Sequence, residues 1–147
     1  MIDYKKKLDE LLSFTDKNID SFQISNKIEN IVFKIVEDIF SPYMIETIMD
    51  DNLNYTPDLY IKYTPLGKIK NRIFFEIKSR NLAKYDIITI NNIIQELISI
   101  YRNKFYTLIY VTTSLDMEII KHFNNENVKF VTIYQLLELL KLSNLYI

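Results

Sequence analysis

The chain predicts an α/β fold: a mixed β-sheet of about five strands flanked by helices. Three observations predict it. Helix-period and strand-period stretches interleave in the order helix, three strands, helix, strand, helix, strand, helix. The run Phe105 to Thr113 is almost continuously apolar, β-branched or aromatic, as in a strand buried on both faces. The helices between the later strands supply the crossovers that parallel pairing requires, whereas the first three strands suit an antiparallel meander.

Each element has a local justification. Tyr4 to Phe14 reads as a short amphipathic helix with Leu8, Leu11 and Leu12 on one side, and Thr15 to Gln23 as a polar connector. Asn26 can cap a second helix, with Glu29 three residues later as in a capping box. Ile28, Ile31, Val32, Ile35, Val36 and Ile39 then recur at helical spacing as far as Phe40, where Ser41-Pro42 stops the helix. Strand-like runs follow at Tyr43 to Met49, Asp58 to Tyr63 and Arg72 to Ser79. The last two are joined by Thr64 to Asn71, which contains Gly67, the chain's only glycine, where a hairpin would need an unusual backbone angle. After Asn81 a helical pattern runs through Ile87, Ile90, Ile94, Leu97, Ile98 and Tyr101. Beyond the buried strand, Leu115 to Phe123 reads as helix, Val128 to Ile133 as strand and Tyr134 to Leu142 as a final short helix.

At 147 residues the chain fits one domain able to bury a real core, with residues 1–23 as an N-terminal helical extension and 24–142 as the core. A 48% hydrophobic and 25% charged composition is that of a globular rather than a disordered chain. No stretch approaches the roughly 20 apolar residues of a membrane span, and the mixed-charge N-terminus does not read as a signal peptide. Absence of cysteine excludes disulfides and Cys-based zinc sites, so a cytoplasmic protein is the simple reading.

Net charge is only −1, but it is unevenly spread. Residues 1–61 hold 6 Lys or Arg against 12 acids, whereas residues 62–104 hold 9 against 3, a local net of +6. Positive charge therefore gathers where a polyanion could be steered and neutralised, although a solvated Lys-rich hairpin beside an exposed helix reads as well.

The candidate chemistry lies at the edge of and within that basic segment. Pro57-Asp58 is followed, across the turn, by Glu76-Ile77-Lys78 on a strand-like run. Strand side chains alternate, so Glu76 and Lys78 share one face while Phe75 and Ile77 share the other. Two carboxylates can hold a hard cation such as Mg²⁺ through oxygen, and an adjacent amine can orient a water. The bland alternative is an Asp at a turn into the strand and a surface Glu–Lys pair of little energetic worth.

With the element order, these residues resemble the PD-(D/E)xK nuclease superfamily of restriction-endonuclease-like fold, nearest to its Mrr-like branch. The similarity extends to Ile109-Tyr-Val-Thr-Thr-Ser114, Asn127-Val-Lys-Phe-Val-Thr-Ile133 and the leucine-rich Leu136 to Leu140, covering about residues 24–142. The resemblance implies a Mg²⁺-dependent DNA endonuclease, with Mn²⁺ able to substitute, acting in restriction or phage defence. It implies Asp58 and Glu76 as metal ligands, the Ile77 carbonyl completing the coordination, and Lys78 positioning the attacking water. It places an acid early in the first core helix, which fits Glu29 better than Glu37, and a polar residue such as Gln95 on the following helix. Tyr101 lies six residues from Gln95, so a Gln-x-x-x-Tyr exonuclease motif is not met, and Asp51 to Pro57 lacks the Gly-rich approach usual for the branch.

Lys68, Lys70, Arg72, Arg80 and Lys84 would hold the DNA backbone without reading sequence. Tyr60, Tyr63 and Tyr85 could stack on bases, and Thr112, Thr113 and Ser114 could contact phosphate or equally cap the next helix. His122, the only histidine, reads as a packing or surface residue. Cutting both strands would need two sites, which a homodimer would supply, and a partner subunit could supply targeting. Two other readings remain open: a non-catalytic nucleic-acid-binding or protein-interaction module with the same fold, and a repair or junction-resolving nuclease.

Overall fold

Two helices lead the chain, α1 (Tyr4–Thr15) and α2 (Ser21–Phe40). The computed structural model describes residues 3–15, 21–40, 45–47, 53–63, 71–102 and 104–145. Helix α2 starts at Ser21, so Asn26 is an exposed residue within the helix and does not cap it. The reason is tertiary. Ile24 continues the apolar stripe one turn before Ile28 and is buried, which outweighs the cap preference of Ser25 and Asn26. Ile24, Ile28, Val32, Ile35, Val36 and Ile39 are all buried, each contributing roughly 2 kcal/mol of hydrophobic transfer. A charged residue at Ile35, which is 0% exposed, would break the helix from its sheet.

Strand β1 (Ile45–Glu46) keeps two residues of the Tyr43 to Met49 stretch, of which 43, 44, 48 and 49 lie outside the described residues. Then come β2 (Leu59–Tyr63), β3 (Asn71–Ile77), α3 (Asp86–Tyr101), β4 (Tyr106–Thr112), α4 (Met117–Ile120), β5 (Val128–Thr132) and α5 (Ile133–Leu145). The link at 64–70, with Gly67, Lys68 and Lys70, also lies outside the described residues. Helix α4 is a single turn, not a helix from Leu115 to Phe123. Its start is fixed by the Asp116 carboxylate, which accepts from the Glu118 N–H, and it runs out into tight three-residue turns at His122 and Phe123.

The sheet is mixed and has the order β1-β2-β3-β4-β5. Among the described residues β1 has only two, so β2 to β5 make up most of the sheet. As the connections predict, β1–β2 and β2–β3 are antiparallel, and β3–β4 and β4–β5 are parallel. Alternation along β3 divides the core. Ile73, Phe75 and Ile77 face α1, α2 and α5, where Tyr4, Leu8 and Leu136 complete one cluster. Phe74 faces the other way, with Tyr60, Leu108 and Tyr110 against Ile90, Ile94 and Leu97 of α3. The helical extension at the N-terminus therefore buries side chains in the main core. Among the described residues no helix is long and apolar enough to cross a membrane.

Candidate active site

Pairing between β2 and β3 brings the two acids together. Leu59 lies opposite Phe75, and the Asp58 N–H donates to the Phe75 carbonyl at 3.1 Å, so Asp58 stands across from Glu76. The Asp58 Oδ2 atom accepts from the Ile77 N–H at 2.8 Å, which fixes the exposed carboxylate against the end of β3. Glu76 shares the Phe74 face and is 8% exposed. Lys78 follows one pleat later, its Nζ 3.8 Å from Glu76 Oε2, and its own N–H donates to the Val111 carbonyl at 2.8 Å. The parallel β4 ladder thus fixes the backbone from which the amine projects, just past the last residue of β3.

Electrostatically this is an unsettled group. Burial pushes the Glu76 carboxyl up to about 7; a hydrogen bond from the Tyr55 hydroxyl opposes the rise, the neighbouring Asp58 charge adds to it, and Lys78 opposes it. The long 3.8 Å approach of Lys78 is too loose to offset desolvation. Glu29, half-buried on α2, is also raised, first by burial and then by Asp58, with Lys78 acting in the opposite sense. The helix acid therefore shares the field of the same two residues. Ser25 of α2 and Ser79 share a hydroxyl hydrogen bond at 2.8 Å, which ties this part of the helix to the end of β3. Glu37 lies two turns along, about 12 Å away by helical rise, and acts instead on Tyr4.

Other candidates disperse. Gln95 is exposed on α3 and takes no part in these interactions. Arg72 sits four residues before Glu76, about 13 Å along the strand, with its guanidinium 4.9 Å over the Tyr101 ring. Arg80 is committed within the protein. Its Nη1 and Nη2 donate to Asp86 Oδ2 and Oδ1 at 2.8 and 3.0 Å, and it lies 5.1 Å over the Tyr85 ring. That bidentate pair, which also accepts the Ala83 N–H at 2.6 Å, removes Arg80 from simple service as a phosphate contact. Lys84 is exposed in the turn before α3.

Several residues were not legible in advance. Tyr55, three residues before Asp58, reaches Glu76 although neither helical nor strand periodicity singles it out. Asp86 opens α3, and its position in a first helical turn was the available signal. Tyr60 is 4% exposed and so cannot stack on bases, whereas Tyr85 is 64% exposed; the Tyr63 side chain lies outside the described ones. Thr113 and Ser114 both donate to the Asn81 side-chain oxygen at 2.6 Å, and Thr112 donates to the Ser114 carbonyl at 2.8 Å. These hydroxyls fasten the turn after Lys78 to the end of β4, and none of them caps α4. His122 is exposed.

The donor set fits a small hard cation. Among the described residues no three acidic, imidazole or thiol groups are close enough to cage a metal by themselves. Two facing carboxylates are nevertheless the sparse oxygen set over which Mg²⁺ keeps several waters. A buried carboxyl held up to about 7 beside a second carboxylate is a place where positive charge would be welcome.

No protein-family model matches the chain. No curated protein matches it either. Among solved structures, the chain is similar to the crystal structure of a repair endonuclease from Pyrococcus abyssi, at 17% identity and a TM-score of 0.45. The match covers 69% of this chain and 42% of that one, so this chain spans less than half the length of that protein.

Proposed function

We propose that the protein is a metal-dependent DNA endonuclease of the PD-(D/E)xK type, hydrolysing phosphodiester bonds with Mg²⁺ or Mn²⁺. One observation carries the reading: Asp58 and Glu76 meet across β2 and β3 at the end where Lys78 projects beside Glu76. Asp58, Glu76 and the Ile77 carbonyl would hold the cation, which supplies Lewis-acid charge to a phosphodiester oxygen when bound. Lys78, half-buried and tethered by its backbone, would orient the attacking water and favour the developing negative charge. Glu29 of α2 would add negative charge beside Asp58 and Lys78 without serving as a third metal ligand. Lys84, together with Lys68 and Lys70, would hold backbone phosphates without reading sequence. A setting in restriction or phage defence, the Mrr-like branch and a homodimer rest on sequence resemblance and stoichiometry.

A non-catalytic nucleic-acid-binding module is favoured by one observation, that Glu76 already has donors near both oxygens, Tyr55 and Lys78. Plasmid incubated with Mg²⁺ or Mn²⁺ separates the two. Cleavage by the wild type that is lost in Asp58→Ala and Lys78→Ala supports the nuclease; no cleavage, or equal cleavage by all three, overturns it.

A further inference from the structure

Tyr55 lies in the irregular stretch that leads into Asp58, with its ring 6.3 Å from Phe74, which is 0% exposed. That packing aims the hydroxyl at Glu76 Oε1, to which it donates. The other oxygen, Oε2, faces the Lys78 ammonium at 3.8 Å. Asp58 is similarly restricted, because its Oδ2 is held by the Ile77 N–H at 2.8 Å. Glu76 and Asp58 thus each have one oxygen occupied by a neutral donor of the protein. A carboxylate held this way can readily offer a cation its other oxygen but resists closing both oxygens round it.

Cations differ in what they ask of such ligands. Mg²⁺ takes octahedral geometry with one or two singly bound carboxylates and several waters, whereas Ca²⁺ takes 6–8 oxygens and readily uses both oxygens of a carboxylate. We propose that Tyr55 is a positioning residue that sets the cation preference of the site, its hydroxyl keeping Glu76 a one-oxygen ligand and so favouring Mg²⁺ over Ca²⁺. This rests on the reading of Asp58 and Glu76 as metal ligands. The role is distinct from core packing, because the phenyl ring alone would satisfy Phe74.

The test is direct cation binding by the full chain, without DNA: Mn²⁺ titration followed by electron paramagnetic resonance, with Mg²⁺ and Ca²⁺ as competitors. Wild type, Glu76→Gln and Tyr55→Phe are compared, each checked by thermal unfolding. Outer partners of metal ligands are worth roughly 10- to 100-fold in affinity, so Tyr55→Phe should weaken Mg²⁺ by about tenfold. Ca²⁺ binding should stay level or tighten, so the Mg²⁺-to-Ca²⁺ preference falls by about the same factor. Tyr55→His, which restores an N–H donor, should recover part of it and serves should the Phe variant not fold. If Glu76→Gln loses Mn²⁺ while Tyr55→Phe keeps both affinity and preference, the Tyr55 role is overturned and the metal site stands. If wild type binds no Mn²⁺, or Glu76→Gln binds it equally well, the metal-site reading itself falls and the Tyr55 role with it.

Discussion

Two acid–base pairs lie within ten residues of each other, and they could hardly be more differently finished. Asp86 is 5% exposed, yet it accepts two hydrogen bonds from Arg80 and one from the Ala83 N–H. The Arg80 hydrogen bonds, ahead of the opposing burial, hold its carboxyl below the ordinary range. Glu76 is about as buried, but its cation stands 3.8 Å off and a second carboxylate stands opposite, and its carboxyl is pushed up to about 7. Burial is common to both; completeness of partnering is not. The Asp86 pair is a closed clamp that steadies the turn between β3 and α3. The Glu76 group is left short of positive charge, which is the condition expected of a site that awaits a ligand.

The sharpest way to test this contrast is to remove the cation from each pair. Lys78→Ala should lower metal-dependent plasmid cleavage by about 100-fold or more while leaving the melting temperature nearly unchanged. Arg80→Ala should do the reverse. It leaves Asp86 buried on the Ala83 N–H alone, costing about 2 kcal/mol, or roughly 6 °C in thermal unfolding. If both variants lost activity and stability alike, the distinction between clamp and site would fail.

Next in size is Glu76→Gln, which should stabilise the protein. A carboxyl raised in the folded state favours folding fully below its unfolded value near 4.5, and this contribution is lost as pH rises through about 7. The neutral amide avoids that loss, so the variant should be more stable than wild type at pH 8, by about 1–2 kcal/mol in unfolding free energy, and the gap should narrow at pH 5. A gap independent of pH would show that Glu76 is not strained by its charge. Asp86 carries the opposite sign: its contribution is present above 3.8 and is lost as pH falls below it, so Asp86→Asn should narrow the stability difference between pH 5 and pH 3.

The smallest effect distinguishes free from committed cations. Lys84→Ala should reduce the slope of log DNA affinity against log salt by about 1, whereas Arg80→Ala should leave it unchanged. Equal slopes for the two variants would mean that Arg80 leaves Asp86 when DNA arrives.

Much of this was readable from local pattern. Period-2 alternation places Glu76 with Lys78, and the apolar runs mark four substantial strands and the helices between them. The start of α2 was not, because the capping pattern of Asn26 and Glu29 is overridden by burial of Ile24, which depends on the sheet beneath. Nor was the sorting of the basic residues. Charge counts see Arg72, Arg80 and Lys84 alike, yet one lies over Tyr101, one grips Asp86 and one is exposed.

Which residue types could do chemistry, and which faces of their strand they occupy, can be read from the order of residues alone, because backbone periodicity is a local property. It took the packed fold to set Asp58 across from Glu76, to bring Glu29 into the field of Asp58 and Lys78, and to put the Tyr55 hydroxyl on one oxygen of the buried acid. Those relations depend on strand register and on helix α2 lying against the end of β3, which are settled by burial of side chains far apart in the chain.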